Sequence, residues 1–304
     1  MQYKIHTAIG ATFKLAVYKS DGTLVRESGK FKNIVLDSGL VRMGKGNAIN
    51  LCMVGTGNSE PNVGQTKLDA ILASTGIMQS TQSVDNTKTK PYYYGVVGTF
   101  RFNTGQAIGN LTEVAIGWER DKCWNRALIK DALGNPTTLT ILADEYLDVT
   151  VEIRMYPTAK SEGSFNFRNK LGDIISTHNF VGYPKFGNSA WELSPPSINN
   201  MLLYTGSITD NPTAPPSGST IGSWRGGDAL LSTGDTKGTI RVKYGLNDHL
   251  GAVKSLSMGL SGFLMGSSAN HGFKFELDNT ISTTTSQEIQ YTFEFSWGRY
   301  LGGG

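Results

Sequence analysis

The sequence predicts an all-β fold built as two related β-sandwich domains, an internal duplication with few short helices. Three observations carry that expectation. The composition favours turns and strands: of 304 residues 37 are Gly and only 17% are charged, against roughly 7% Gly and 25% charged in an ordinary globular domain. Residues 147–155 alternate, with Leu147, Val149, Val151, Ile153 and Met155 on one face and Asp148, Thr150, Glu152 and Arg154 on the other. That is the pattern of a strand with one buried and one wet face. Finally, strand patterns of the first half recur in order in the second, which is the mark of a duplication.

The elements follow in chain order. Residues 13–18 alternate apolar and polar, Ser20-Asp21-Gly22 offers a turn with Gly free to take positive φ, and residues 23–27 return, so a hairpin is expected. Residues 31–36 and 51–54 read as strands. Leu68, Ile71 and Leu72 lie at i, i+3 and i+4, which predicts a two-turn helix over 67–73. Residues 74–90 are polar and rich in Ser and Thr, and are expected as a loop. Strands follow at 91–102, 111–118, 124–129, 138–142 and 147–155, with a turn at Gly134-Asn135-Pro136. The polar stretch 158–163 after Pro157 marks a boundary. The expected division is an N-terminal hairpin or arm at 1–30, a first sandwich at 31–157 and a second at 158–304, a length that suits about two domains. Pro195-Pro196 and the proline-rich run 211–216 exclude long helices from the second half.

The repeat aligns residues 50–55 with 200–205, 98–102 with 238–242, 109–117 with 251–259, 139–141 with 273–275, and 149–155 with 289–295. The last four matches stand at offsets of 134 to 142 residues.

The chemistry-bearing residues form no catalytic constellation. His6, His178, His249 and His271 stand at no metal-ligand spacing, and His249 and His271 fall in expected turns as solvated residues. No nucleophile elbow or phosphate loop is present. Cys52 and Cys123 are too few for a disulfide framework and are expected as half-buried thiols of a chain made in a reducing cytosol. Asp144-Glu145 and Asp148 keep a hydrolase as a further alternative, although Asp144 and Glu145, being adjacent, would face opposite ways in a strand and are expected to mark a turn between strands. A net charge of +3 without a basic run excludes electrostatic capture of nucleic acid. The N-terminus lacks the apolar core of a signal peptide, and no apolar run reaches the ~20 residues that span a bilayer. Binding by aromatic side chains stays open: Tyr93 within Tyr92-Tyr93-Tyr94, and Trp224 with Arg225 in a Gly-rich stretch expected as loop, are the candidate surface residues.

Two stretches resemble virion proteins of tailed bacteriophages. One is Gly109-Asn110-Leu111-Thr112-Glu113-Val114-Ala115-Ile116-Gly117-Trp118, continuing through 126–149. The other is Asn33-Ile34-Val35-Leu36-Asp37-Ser38-Gly39-Leu40, followed by residues 54–58 and 66–69. The resemblance covers residues 10–157 and reaches the second half only through the repeat. It implies a non-enzymatic tail-fibre, baseplate or minor structural protein, and it transfers no catalytic residue. The expectation is a structural component of a tailed-phage virion, made in the host cytoplasm, assembling with symmetric neighbours in a tail fibre, baseplate or tail attachment. Capsid or collar decoration and a glycan- or receptor-binding module are the alternatives. The expected partners are other virion proteins and copies of the chain itself, with a host surface glycan for the binding alternative. No nucleic acid, membrane insertion, metal or cofactor is expected.

Overall fold

The structure, a computed structural model, describes residues 2–46, 49–248, 251–265, 271–284 and 286–302. Its first half comprises β1 (Gln2–Lys19), β2 (Leu24–Glu27), β3 (Phe31–Lys32), β4 (Ile34–Val35), α1 (Asp37–Met43), β5 (Leu51–Gly55), β6 (Ile71–Thr75), β7 (Met78–Asn86), β8 (Tyr93–Phe102), β9 (Gly109–Leu111), β10 (Glu113–Glu119), β11 (Lys122–Cys123), β12 (Asn125–Leu128), β13 (Leu139–Ile141) and β14 (Glu145–Pro157). The second half comprises β15 (Ser161–Arg168), β16 (Ile174–Lys185), β17 (Ser197–Tyr204), β18 (Thr220–Ala229), β19 (Leu231–Gly234), β20 (Lys237–Tyr244), β21 (Gly251–Ser261), β22 (Gly272–Thr283) and β23 (Ile289–Arg299). The chain is all-β, of β-sandwich type.

Strand β1 organises the molecule. Tyr3, Ile5, Ile9, Phe13, Leu15 and Val17 are all buried along one face, and a strand so patterned needs a sheet on both sides. Residues 7–19 pair antiparallel with β14, while residues 2–9 pair parallel with β23. The result is one sheet in the order β19-β20-β23-β1-β14-β8-β7, with β2 and β3 also on β1. The expected hairpin forms, with Gly22 at φ +87°. The segment expected as an arm is thus the middle of the large sheet. Sequence β6-β5-β10-β12-β4 forms the second sheet of the first half, and β18-β17-β21-β22-β16-β15 that of the second. Most buried apolar residues of both halves make one contiguous cluster, while Leu36, Met53, Leu68, Ala115 and Cys123 form a second, small one in the first half. Two tryptophans of the second half lock into the first. The Trp297 indole N–H donates to Leu40 O at 2.8 Å, and the Trp191 indole N–H donates to Ile49 O at 2.8 Å. Their rings lie against Gly44 and Gly98, where a Cβ would stand 2.6 Å from ring carbon.

The duplication is visible in strand pairing. In the first half β5 pairs β6 and β10, and β8 pairs β7 and β14; in the second β17 pairs β18 and β21, and β20 pairs β19 and β23. Register corrects three of the expected matches. Val54 opposes Val114 as Leu203 opposes Leu256, so β5 and β17 align one residue away from the expected pairing. Leu139 opposes Leu111 as Ile281 opposes Val253, so residues 139–141 correspond to 281–283, not 273–275. Gly98 opposes Val151 as Gly238 opposes Phe295, which moves the closing-strand match by four residues. Alternating strands resemble themselves at even shifts, which accounts for the last two slips, and β5 is buried on both faces, so a one-residue slip there leaves no mark in its pattern; only the ladder fixes which shift is real.

Two local expectations fail. Residues 71–73 lie in β6, not in a helix. A two-turn segment without a cap has little helical stability of its own, and pairing with β5 outweighs it. Residues 78–86, expected as loop, form the edge strand β7, whose pattern is nearly all exposed, so no apolar face marked it. The helix that does form, α1, places Asp37 in its first turn and Arg42 in its last, with Leu40 and Met43 buried.

Candidate functional site

The outward face of the large sheet carries the densest array of polar and aromatic side chains. On the outward face of β14 Tyr146, Asp148, Thr150, Arg154 and Tyr156 are partly exposed and Glu152 is buried among its partners, while the apolar positions from Leu147 to Met155 are fully buried. Each is matched across the sheet. Asp148 accepts two hydrogen bonds of 2.7 Å from Arg101, whose guanidinium lies 4.4 Å from the Tyr146 ring centre. Tyr18 stacks on Tyr146 at 5.1 Å. Glu152 accepts from Lys30 and Arg154, whose hydrogen bonds, against the desolvation of the site, hold its carboxyl below the usual range.

Tyr93 stands at the far end of this row. The Arg154 guanidinium lies 4.2 Å over its ring, and Tyr156 is tilted against it at 5.7 Å. Tyr156 in turn stacks flat on Tyr300 at 3.6 Å. Trp224 and Arg225 lie elsewhere, on edge strand β18 of the other sheet, opposite Met201 and Asn200. This corrects their expected placement in a loop. The Trp224 ring is half-buried against the core, whereas Arg225 is exposed. Tyr93 and Trp224 therefore belong to two different surfaces. Sequence reasoning missed Tyr156, Tyr300, Arg154 and Asn33. The alternation of β14 does place Tyr156 on the wet face with Arg154, but nothing local announces that residues 300–302 fold back beside it.

Of the neighbouring acidic residues Asp144, Glu145 and Asp148, Asp144 is exposed in a turn and the other two are occupied. Glu145 is buried, pairs with Arg26 and accepts the Leu142 N–H at 2.8 Å, and Asp148 is held by Arg101. Cys52 and Cys123 are fully buried rather than half-buried, and burial pushes both thiols up, the opposite of an activated nucleophile. No cluster of three metal-ligating side chains exists among the described residues. Among the described residues no helix is long and apolar enough to cross a membrane.

His271 is fully buried, not a solvated turn residue; His249 lies outside the described residues. His271 Nδ1 accepts the Gly187 N–H at 3.2 Å, Ser189 Oγ lies 3.3 Å from Nε2, and the ring packs 4.6 Å from Tyr94. An Nδ1 that accepts carries no proton, so the ring is neutral. Burial pushes it down to about 4 from its ordinary 6.5, aided by Lys185 and opposed by a backbone contact at Asn188. Below pH 6.5 the unfolded chain takes up a proton that the folded chain refuses. The stability from neutral His271 is therefore complete above pH 6.5 and is lost as pH falls toward about 4, by about 1.4 kcal/mol per pH unit. In urea titrations from pH 7 to 5, His271→Gln is expected to flatten this slope; an unchanged slope would refute the assignment.

Comparison with protein-family models, curated proteins and solved structures finds no match to the chain.

Proposed function

We propose that the chain is a non-catalytic structural component of a tailed-phage virion that assembles through sheet edges with neighbouring subunits. The observation that supports this reading is β7. It ends the large sheet and pairs only with β8 among the described residues. It is nine residues long, with six residues exposed and three partly so, and contains no Lys, Arg or Pro and a single charge, Asp85. Folded proteins ordinarily blunt such an edge with those residues, because its free N–H and C=O groups invite another strand. The far edge, β19, has only four residues; each edge strand carries one bulge, that of β7 lying at its first residues, Met78–Ser80, so that seven residues of β7 run on beyond it. The sequence resemblance supplies the setting, and the ion-paired carboxylates and buried thiols fit a protein without a reaction to perform.

The test is the mass of the purified chain by light scattering together with its copy number in purified particles. A defined oligomer whose order divides the copy number supports the reading; absence from particles overturns it. Thr81→Lys is expected to reduce the oligomer to monomer while stability changes by less than about 0.5 kcal/mol, as exposed substitutions usually do. A second reading, a module binding surface glycan, is favoured by one observation, the tyrosine-walled cavity beside Arg154.

A further inference from the structure

The cavity of about 270 Å³ lies where β1, β3 and β14 meet the folded-back residues 300–302. Its floor follows from register. Thr12 opposes Glu152 on one side and Lys32 on the other, and Gly10 opposes Arg154. Gly10 leaves room beneath the Tyr156 and Tyr300 rings, its Cβ position being 3.5 Å from Tyr300. The stacked tyrosines supply apolar surface at one end.

Three polar atoms here are shielded from solvent and have no hydrogen-bond partner: Thr12 Oγ1, Asn33 Oδ1 and Asn33 Nδ2. A buried polar group left alone costs about 1–3 kcal/mol, so a ligand hydroxyl that draws the Thr12 and Asn33 side chains, both of which line the cavity, round toward it gains what the folded chain leaves unmade. An amide offering its donor and acceptor side by side, next to a hydroxyl, matches adjacent sugar hydroxyls.

Charge narrows the ligand. Lys30, Lys32 and Arg154 line the cavity against one carboxylate, Glu152, which pairs with Lys30 and Arg154. Lys32 is exposed and has no ion-pair partner among the described residues. A second depression of about 180 Å³ meets the first across Lys32 and Asn33 and adds Lys130 and Glu60. The two together present a surplus of cations along a path longer than one ring.

We propose that this cavity is a saccharide subsite that takes a carboxylated pyranose within an acidic polysaccharide. The sugar hydroxyls satisfy Asn33 and Thr12, the carboxylate faces Lys32, and the chain continues over Lys130. The inference rests on the glycan reading and names its ligand class.

The test is calorimetric titration of the full chain with uronate oligomers (galacturonate, mannuronate and glucuronate-containing), a neutral galactose oligomer and oligo-dT. At least one uronate is expected to bind at least about tenfold more tightly than the neutral sugar or the oligonucleotide, the gain of one charge-assisted hydrogen bond. Asn33→Ala and Lys32→Glu are expected to weaken it at least about tenfold, with the melting temperature unchanged for Lys32→Glu and not lowered for Asn33→Ala, which removes two unsatisfied polar atoms. Equal binding of acidic and neutral sugars overturns the acidic preference and leaves the glycan reading standing. Binding that ignores both substitutions overturns the site. Equal or tighter binding of oligo-dT shows a site for polyanions at large and overturns the proposal. No sugar binding at all overturns both the proposal and the glycan reading.

Discussion

Tyr3→Ala is expected to destabilise the chain by about 3–5 kcal/mol, the range for deleting a large buried aromatic. Tyr3 has no exposed surface. Its ring lies 4.6 Å from Phe275, 4.9 Å from Phe180, 5.1 Å from Phe293 and 5.5 Å from Phe165. Those partners come from β22, β16, β23 and β15, so this one residue from the beginning of the chain touches four strands of the second half. Its own strand supplies the parallel partner of β23 through eight residue pairs from Gln2 to Ile9. Removing the ring opens a cavity at the point where the halves are joined, and the surrounding strands are too rigid to close over it. The loss is measured by urea unfolding and localised by hydrogen exchange. Protection should fall first in β20 and β23, and less in β8 and β14. Tyr3→Phe keeps the packing and should cost about 0.5–1.5 kcal/mol. A loss below about 1 kcal/mol for Tyr3→Ala would mean that β1 does not anchor the second sandwich.

The same strand shows what was legible in the sequence and what was not. Alternation placed Phe13, Leu15 and Val17 on a buried face, and the structure keeps them there. The residues before them read as a detached arm, because nothing within residues 2–9 names a parallel partner almost three hundred residues away. β14 was legible to the residue, since its two faces differ sharply in polarity. β7 was invisible for the converse reason: an exposed edge strand has two wet faces and resembles a loop. The repeat survived as a pattern while its register slipped. At the candidate site Tyr93 could be singled out locally, but its companions Arg154, Tyr156 and Tyr300 are assembled by the sheet. His271 looked like a turn residue, but Tyr94 from the first half and Phe186 from its own pack on the ring and bury it.

The register also reveals a pair of equivalent buried cations whose removal should have unequal effects. Val114 opposes Ala127 as Leu256 opposes Phe275, which makes Arg126 the counterpart of Lys274. Both are fully buried and both fasten the loop between two strands of their sandwich. Arg126 pairs with Glu113 at 2.8 Å and Asp69 at 2.6 Å and donates to Ser59 O at 3.2 Å. Glu113, also fully buried, accepts the N–H groups of Gly57, Asp69 and Ala70. Lys274 donates only to carbonyls, Asn211 O and Ala214 O, each at 2.7 Å, and the position of Glu113 is taken by Ser255, which donates to Gly206 O. Arg126→Met leaves the Glu113 carboxylate buried without its cation, so a loss of about 3–5 kcal/mol is expected. Lys274→Met strands two carbonyls but also removes a charge that burial disfavours, pushing the ammonium down to about 8, so a loss under about 2 kcal/mol is expected. The sign with pH separates the two further. A lysine depressed in the folded state is most costly below pH 8, and that cost is relieved as pH rises toward the ordinary 10.5. Wild type should therefore gain more stability over that window than Lys274→Met, which keeps only the gain from Lys185, a lysine that burial also pushes down. Equal losses for the two substitutions, or a parallel rise with pH in both proteins, would show that the two cations do the same work and that the missing carboxylate does not matter.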